Sequence, residues 1–225
     1  MKITNYGHSC IGVRTAGHDL LFDPFISGNP LASMVDAGHI PVTEVLVTHG
    51  HGDHVLDAEA IAKRANAPLI SNYEIASWFG KKGVLKTTGL NLGGSSTIGA
   101  LRVKYVVAIH SSELPDGSYG GNPGGFVVTG PEGSFHHAGD TALTMDMQLL
   151  RSFNLKFACL PIGDHFTMGV DDAIIAAQYM GVQKIIGIHY NTFPPIAIDT
   201  EKAKAAFSKA GLELLLPPIG STIEI

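Results

Sequence analysis

The stretch His49-Gly50-His51-Gly52-Asp53-His54 constrains this chain more than any other feature. It follows directly on Val45-Leu46-Val47-Thr48, an unbroken, largely β-branched run of the kind that forms a buried strand. Three histidines and an aspartate leaving such a strand sit at the edge of a rigid sheet, where side chains can converge on a cleft. In extended backbone His49 and His51 point the same way, because side chains alternate with period two. The two can share one ion. Asp53 and His54 follow a turn later and can face a second, and Gly50 and Gly52 let the backbone bend tightly around the site. The bland alternative, a solvated polar loop, leaves the other strand ends unexplained.

Those ends carry the same residue types. Ala108-Ile109 runs into His110, His137-Ala138-Gly139 into Asp140, and Ile186-Gly187-Ile188 into His189. The chain holds 11 histidines among 225 residues, and histidine is both the commonest metal ligand and a frequent proton carrier.

Around these residues, short strands alternate with helices. Strand patterns cover Ile11 to Thr15, Leu20 to Phe22, Pro68 to Ser71, Ala100 to Ile109, Phe126 to Thr129 and Ser134 to Ala138. Further strands read at Phe157 to Ile162, Lys184 to Ile188, Leu212 to Leu216 and Ser221 to Ile225. Helices read from a cap at Asp57 to Ala65, from Tyr73 to Phe79 ended by Gly80, and from a cap at Thr144 to Phe153. Two more run from a cap at Asp171 or Asp172 to Met180, and from Thr200 to Ala210. The hairpin-like strands in the middle exclude a pure parallel βαβ sheet. Two mixed sheets packed together with helices outside fit better, and no repeat or linker is visible. The glycine-rich stretch Gly117 to Gly125 does not lead from a strand into a helix, so it reads as a loop rather than a phosphate cradle.

Composition narrows the function classes. The length suits one domain spanning 1–225. Charged residues make up only 16%, which argues against a disordered chain or a coiled coil. The net charge of -5 and the lack of a basic tract speak against broad nucleic-acid binding. Cys10 and Cys159 are too few for a disulfide framework. No apolar leader region and no long apolar run are present, so a cytoplasmic protein without a membrane span is expected.

The stretch HGHGDH matches in full the HxHxDH motif of the metallo-β-lactamase superfamily, and this chain resembles that superfamily along essentially its whole length. His110, Asp140 and His189 fall in the order and contexts where the family places its other ligands. Gly7-His8-Ser9-Cys10 and Pro161 to Gly169 look like a small prokaryotic branch of metal-dependent hydrolases similar to the ascorbate-phosphate lactonases. The resemblance implies an α+β fold, a four-layer αββα sandwich of two mixed β-sheets. It implies two divalent metal ions: His49, His51 and His110 on the first, Asp53, His54 and His189 on the second, and Asp140 bridging. Zinc suits this donor set, and manganese and iron also accept it. The implied chemistry is attack by a bridging hydroxide on a small lactone, ester or phosphoester. Antibiotic-hydrolysing members usually carry a cysteine in the second site and a secretion signal, and neither is found here.

Other residues are weaker candidates. His8 is expected to face the cleft and contact substrate, or else to be a hydrogen-bonded structural histidine. Asp164 and His165 follow a strand end as the ligands do and are expected to contact substrate, Asp164 alternatively orienting a ligand. Asp53 is expected to serve catalysis as well as metal binding. Glu113 and Tyr119, in the loop after His110, could gate substrate, and one of His136 and His137 could point at the cleft. A small-molecule substrate is the expected partner, and a homo-oligomer is left open. An iron-dependent redox enzyme on the same fold and a non-catalytic metal-binding protein are the rival readings. Substrate identity stays hidden, because it would lie in loops such as 24–40 and 111–124.

Overall fold

Two seven-stranded sheets carry the chain, all of whose residues, 1–225, are described by a computed structural model. The first sheet is ordered β14 (Thr222–Glu224), β1 (Lys2–Gly7), β2 (Cys10–Thr15), β3 (His18–Phe22), β4 (Glu44–Leu46), β5 (Leu69–Asn72) and β6 (Thr87–Leu90). The second is ordered β13 (Glu213–Leu215), β12 (Lys184–Ile188), β11 (Leu155–Pro161), β10 (Gly133–His137), β9 (Gly124–Gly130), β8 (Leu101–Val107) and β7 (Ser95–Ile98).

Both sheets follow one plan. β14-β1-β2-β3 pair antiparallel and β3-β4-β5-β6 parallel. β7-β8-β9-β10 pair antiparallel and β10-β11-β12-β13 parallel. Strand for strand, β1 therefore corresponds to β8, β3 to β10, β4 to β11 and β5 to β12. The sequence shows no such repeat.

Parallel neighbours need crossovers, and helices supply them. A single turn, α1 (Gly52–Val55), and α2 (Ala58–Ala65) join β4 to β5, and α3 (Tyr73–Lys81) joins β5 to β6. In the second half α4 (Val170–Met180) and α5 (Thr200–Lys209) do the same work. Between the sheets lies a buried layer that includes Ile3, Phe22, Leu46, Phe126, Phe135, Phe157 and Ile186. Phe135 stacks on Phe157 at 4.9 Å between ring centroids, and each such fully buried side chain contributes about 1.5–3 kcal/mol. A second cluster seals α4 and α5 to one sheet, and a third seals α2 and α3 to the other. The αββα sandwich expected from the sequence is the fold.

Several local expectations need correction. Asp57 holds the cap position of α2 as expected, but its carboxylate makes no cap hydrogen bond and accepts instead from Ile26 N–H, Ser27 N–H and the Ser27 hydroxyl in the loop after β3. The segment Met145–Phe153 is a 3-10 helix rather than an α-helix, with Thr144 at its cap as expected. Asp171 and Asp172 lie in the first turn of α4, and Gly169 holds the cap position. Helix α3 runs through Gly80 to Lys81. β6 and β7 are absent from the sequence reading because both alternate exposed and half-buried residues and bury no apolar run. No helix is long and apolar enough to cross a membrane.

Candidate metal centre

The site is built from five strand ends, and its first support is Asp23. β3 delivers Asp23 with a positive φ of 43°, fully buried beneath the end of β4. Its Oδ1 accepts from Thr48 N–H at 2.8 Å, and its Oδ2 accepts from the Thr48 hydroxyl at 2.7 Å. The same Oδ2 lies 2.9 Å from His54 Nδ1, which must donate to it, so the bare Nε2 of His54 faces inward. Thr48, whose proton is spent on Asp23, accepts from His49 Nδ1 at 3.1 Å. That bond also leaves His49 with a bare Nε2. A carboxylate and a hydroxyl thus set the tautomers of two imidazoles before any ion is considered.

The seven residues expected as ligands come together. His49 Nε2 lies 3.1 Å from His51 Nδ1, and the His110 ring sits 5.1 Å from each of their rings. Ligand atoms of His49, His51 and His110 fall within 4.8 Å of one another, as do those of His8, Asp53, His54 and His189. Asp140 stands between the groups. Its Oδ2 is 3.0 Å from His189 Nε2, 3.6 Å from His110 Nε2 and 3.9 Å from His49 Nε2, while Oδ1 is 3.3 Å from His54 Nε2. Gly139, with φ 62°, lets that strand end approach β4, since a Cβ there would sit 2.6 Å from the Thr48 side chain.

Whether these residues suit a metal is answered by the atoms they leave unpaired. His54 Nε2 and Asp140 Oδ1 are buried with no hydrogen-bond partner, although they face each other. His49 Nε2 has only His51 Nδ1, 3.1 Å away, as a hydrogen-bond partner. A buried donor or acceptor left unmade costs about 1–3 kcal/mol. Imidazole nitrogens that converge on one buried carboxylate fit a cation in place of a proton, and imidazole with carboxylate is a donor set that divalent zinc, manganese and iron accept.

Electrostatics point the same way. Burial works against a charged His54, yet the carboxylates of Asp140 and Asp23 outweigh it and raise its pKa well above the ordinary value. The same contest, won by Asp140 and Asp53, lifts His189 to about 9. Burial works against the Asp140 charge too, but His54 and His189 hold its carboxyl far below the usual range. Burial lowers His49, His51 and His110, keeping each ring neutral with one nitrogen bare. The field that draws protons to His54 and His189 would draw a divalent ion.

The weaker candidates divide. His8 does not face the cleft as expected: its side chain is fully buried, with Nδ1 2.9 Å from Thr192 Oγ1 and Nε2 3.1 Å from Asp53 Oδ2. Burial lowers its pKa to about 4. Asp164 and His165 lie exposed on a turn and touch none of the clustered residues; Asp164 Oδ1 accepts only from His165 N–H. That turn is tied to the centre through Met168 N–H, which donates to Thr141 O beside Asp140. Neither His136 nor His137 points at the cleft, since each gives its ring nitrogen to a backbone carbonyl, Phe126 O and Ser9 O respectively. Both cysteines are buried outside the ligand set.

Sequence reasoning missed Asp23, Thr48 and Thr192. Asp23 carried a usable signal: Leu20-Leu21-Phe22 runs into Asp23 as the other strands run into ligands. Outside the centre opens a cleft of about 570 Å³, with His51 and His110 on its floor. Ser111, Glu113, Tyr119 and Asn122 line its wall, and Ser111 Oγ lies 3.3 Å from His51 Nε2.

Comparison with known proteins agrees with fold and site. Residues 18–190 match the family described as Beta-lactamase superfamily domain, and the chain belongs to that superfamily. Within it the chain is similar to proteins named UPF0173 metal-dependent hydrolase. That of Flavobacterium johnsoniae is 49% identical, with 100% of both chains covered. That of Thermus thermophilus is 41% identical, covering 95% of this chain and 94% of its relative. Among solved structures, Igni18, a metallo hydrolase from the archaeon Ignicoccus hospitalis, superposes with a TM-score of 0.89 at 32% identity, covering 99% of this chain and 97% of that one.

Proposed function

We propose that this protein hydrolyses a small organic substrate, a lactone, ester or phosphoester, with two divalent metal ions, zinc before manganese or iron. The observation that carries the reading is the ring of imidazole nitrogens around Asp140, four of them within 3.9 Å of its carboxylate oxygens, with His54 Nε2 left without a hydrogen-bond partner. His49, His51 and His110 would hold the first ion, Asp53, His54 and His189 the second, and Asp140 both. When bound, two such ions lower the pKa of a water to about 7 and polarise a carbonyl or phosphoryl oxygen.

The residues divide the remaining work by their exposure. Asp140 is buried and reaches both groups of imidazoles, so its task is to hold. Asp53 is the cluster's solvent-facing carboxylate, its side chain 27% exposed. Burial opposes its charge, but the His189 imidazole 3.8 Å away and the hydrogen bond from His8 hold its carboxyl well below the usual range. A carboxylate kept ionised in that way is suited to bind a cation and to accept a hydrogen bond from an attacking water. His51 and His110 meet the cleft, and the polar wall of Ser111, Glu113, Tyr119 and Asn122 would orient an oxygen-rich substrate against them. The relatives' name, metal-dependent hydrolase, supports the reading, and we place the protein in the cytoplasm.

Lactones, carboxylic esters and phosphodiesters offered to the zinc-loaded protein test it. Turnover of one class that stops with chelator and returns with metal is the expected result. A fully loaded protein that turns over none of the three would overturn the hydrolase reading.

A further inference from the structure

His8 lies outside the seven expected ligands, yet the chain distorts itself to bring it to them. β1 ends at Gly7 with φ 103°, and His8 follows with φ 55°, a left-handed conformation few non-glycine residues adopt. Such backbone persists only where its surroundings hold it. Here they do: His8 O accepts from His189 N–H at 3.1 Å, and the His8 ring lies 4.3 Å from the His189 ring and 5.6 Å from that of His54. Phe25 and Phe193 close over it edge-on, at 5.6 Å and 5.5 Å.

The matching plan of the two sheets gives this position a meaning. β1 corresponds to β8, and β8 leads into His110 as β1 leads into His8. β3 and β10 likewise lead into Asp23 and Asp140. In each pair the second half supplies a residue at the centre of the site. Asp23, from the first half, instead bonds to a ligand from behind, through His54.

We propose that His8 acts as Asp23 does: it is a positioning residue that holds Asp53 for the second ion. The inference rests on the two-ion reading above. The Thr192 hydroxyl donates to Nδ1, and Nε2–H donates to Asp53 Oδ2, so a neutral ring satisfies both neighbours. Asp53 needs such a brace, because it sits in the first turn of the four-residue helix α1 with its side chain partly in solvent. A fixed carboxylate binds an ion without losing rotamer freedom at that moment.

Two substitutions separate the halves of this brace. His8→Asn suits the left-handed backbone and can still reach Thr192, but it is too short for Asp53. His8→Gln reaches Asp53 with its amide N–H. Zinc titrations of both variants and the wild type, with cobalt absorption spectra as a second readout, measure each ion's affinity. In His8→Asn the affinity for one ion should fall about 10–100-fold, as for a lost partner of a ligand, while the other ion binds as before. His8→Gln should recover most of that loss and keep the wild-type cobalt spectrum. Thr192→Val, which leaves the ring in place, should show a smaller loss at the same ion and covers the case of a misfolded His8 variant.

Equal loss in the Asn and Gln variants, or a changed cobalt spectrum in the Gln variant, would make His8 a ligand or a packing residue and overturn the proposal. So would wild-type affinity for both ions in the Asn variant. A wild type that takes up fewer than two ions fails earlier, at the two-ion reading, and removes the proposal with it.

Discussion

Asp23 Oδ2 accepts a hydrogen bond from His54 Nδ1 at 2.9 Å, wholly out of contact with solvent, and so decides which nitrogen of His54 faces Asp140. The pair links the end of β3 to the turn after β4 and gives two buried polar side chains a hydrogen-bond partner each. Asp23→Asn keeps the shape and one carbonyl oxygen but sets an N–H against the donors of Thr48 or His54. Metal affinity at one of the two positions should fall about 10–100-fold, with a lower thermal midpoint for the metal-free protein. Calorimetric zinc titration and a thermal scan check both, and unchanged zinc affinity would show that the bond does not organise the site.

Asp53→Asn should suppress turnover far more than it unfolds the protein. The substitution removes the charge that His8 and His189 approach at 3.1 Å and 3.8 Å, at a side chain already partly in water. Loss of proton handling alone is worth about 10²–10⁴-fold in rate, and weaker metal binding adds to it. Rate on a model ester or phosphodiester, read beside the thermal midpoint, is the measurement. Near-wild-type turnover with both ions bound would remove Asp53 from the ligand set.

His136 makes the protein sensitive to acid. Burial lowers its pKa from 6.5 to about 4, against a hydrogen bond to Phe126 O that favours the charged ring. Because the folded value lies below the unfolded one, the neutral ring's stability is fully present above pH 6.5 and lost as pH falls toward 4. The loss amounts to about 3 kcal/mol at most. In metal-free protein, His136→Asn should flatten the fall of unfolding free energy across that window. Denaturant titrations at pH 7.5, 5.5 and 4.5 read the slope, and identical slopes in the two proteins would place the acid sensitivity elsewhere.

How much of this was legible in the sequence follows from what each residue is held by. His49, His51, Asp53 and His54 announce themselves because their spacing is local: one strand end and one helical turn set the geometry. His110, Asp140 and His189 are legible because each follows an apolar strand. The role of His8 was not, because the contact that defines it joins residues 45 apart in sequence and depends on a left-handed backbone that no pattern announces. Asp23 was missed for a related reason: its partners Thr48 and His54 come 25 and 31 residues later. β6 and β7 escaped because edge strands with one face in solvent bury too little apolar surface to stand out. The duplicated sheet plan lies in the pairing, and hydrogen bonds between strands leave no repeat in side chains.

Metal content tests the central claim most directly, and Asp140→Ala gives it a built-in control. Wild-type protein saturated with zinc and freed of excess should carry close to two ions per chain by elemental analysis. Asp140→Ala should lose one ion more readily than the other, because His49, His51 and His110 form an all-imidazole group without it, whereas the second group depends on the partly exposed Asp53. Wild-type protein that stays folded and retains at most one ion, or a variant that keeps both as firmly as the wild type, would contradict the bridging role of Asp140 and the dinuclear centre built around it.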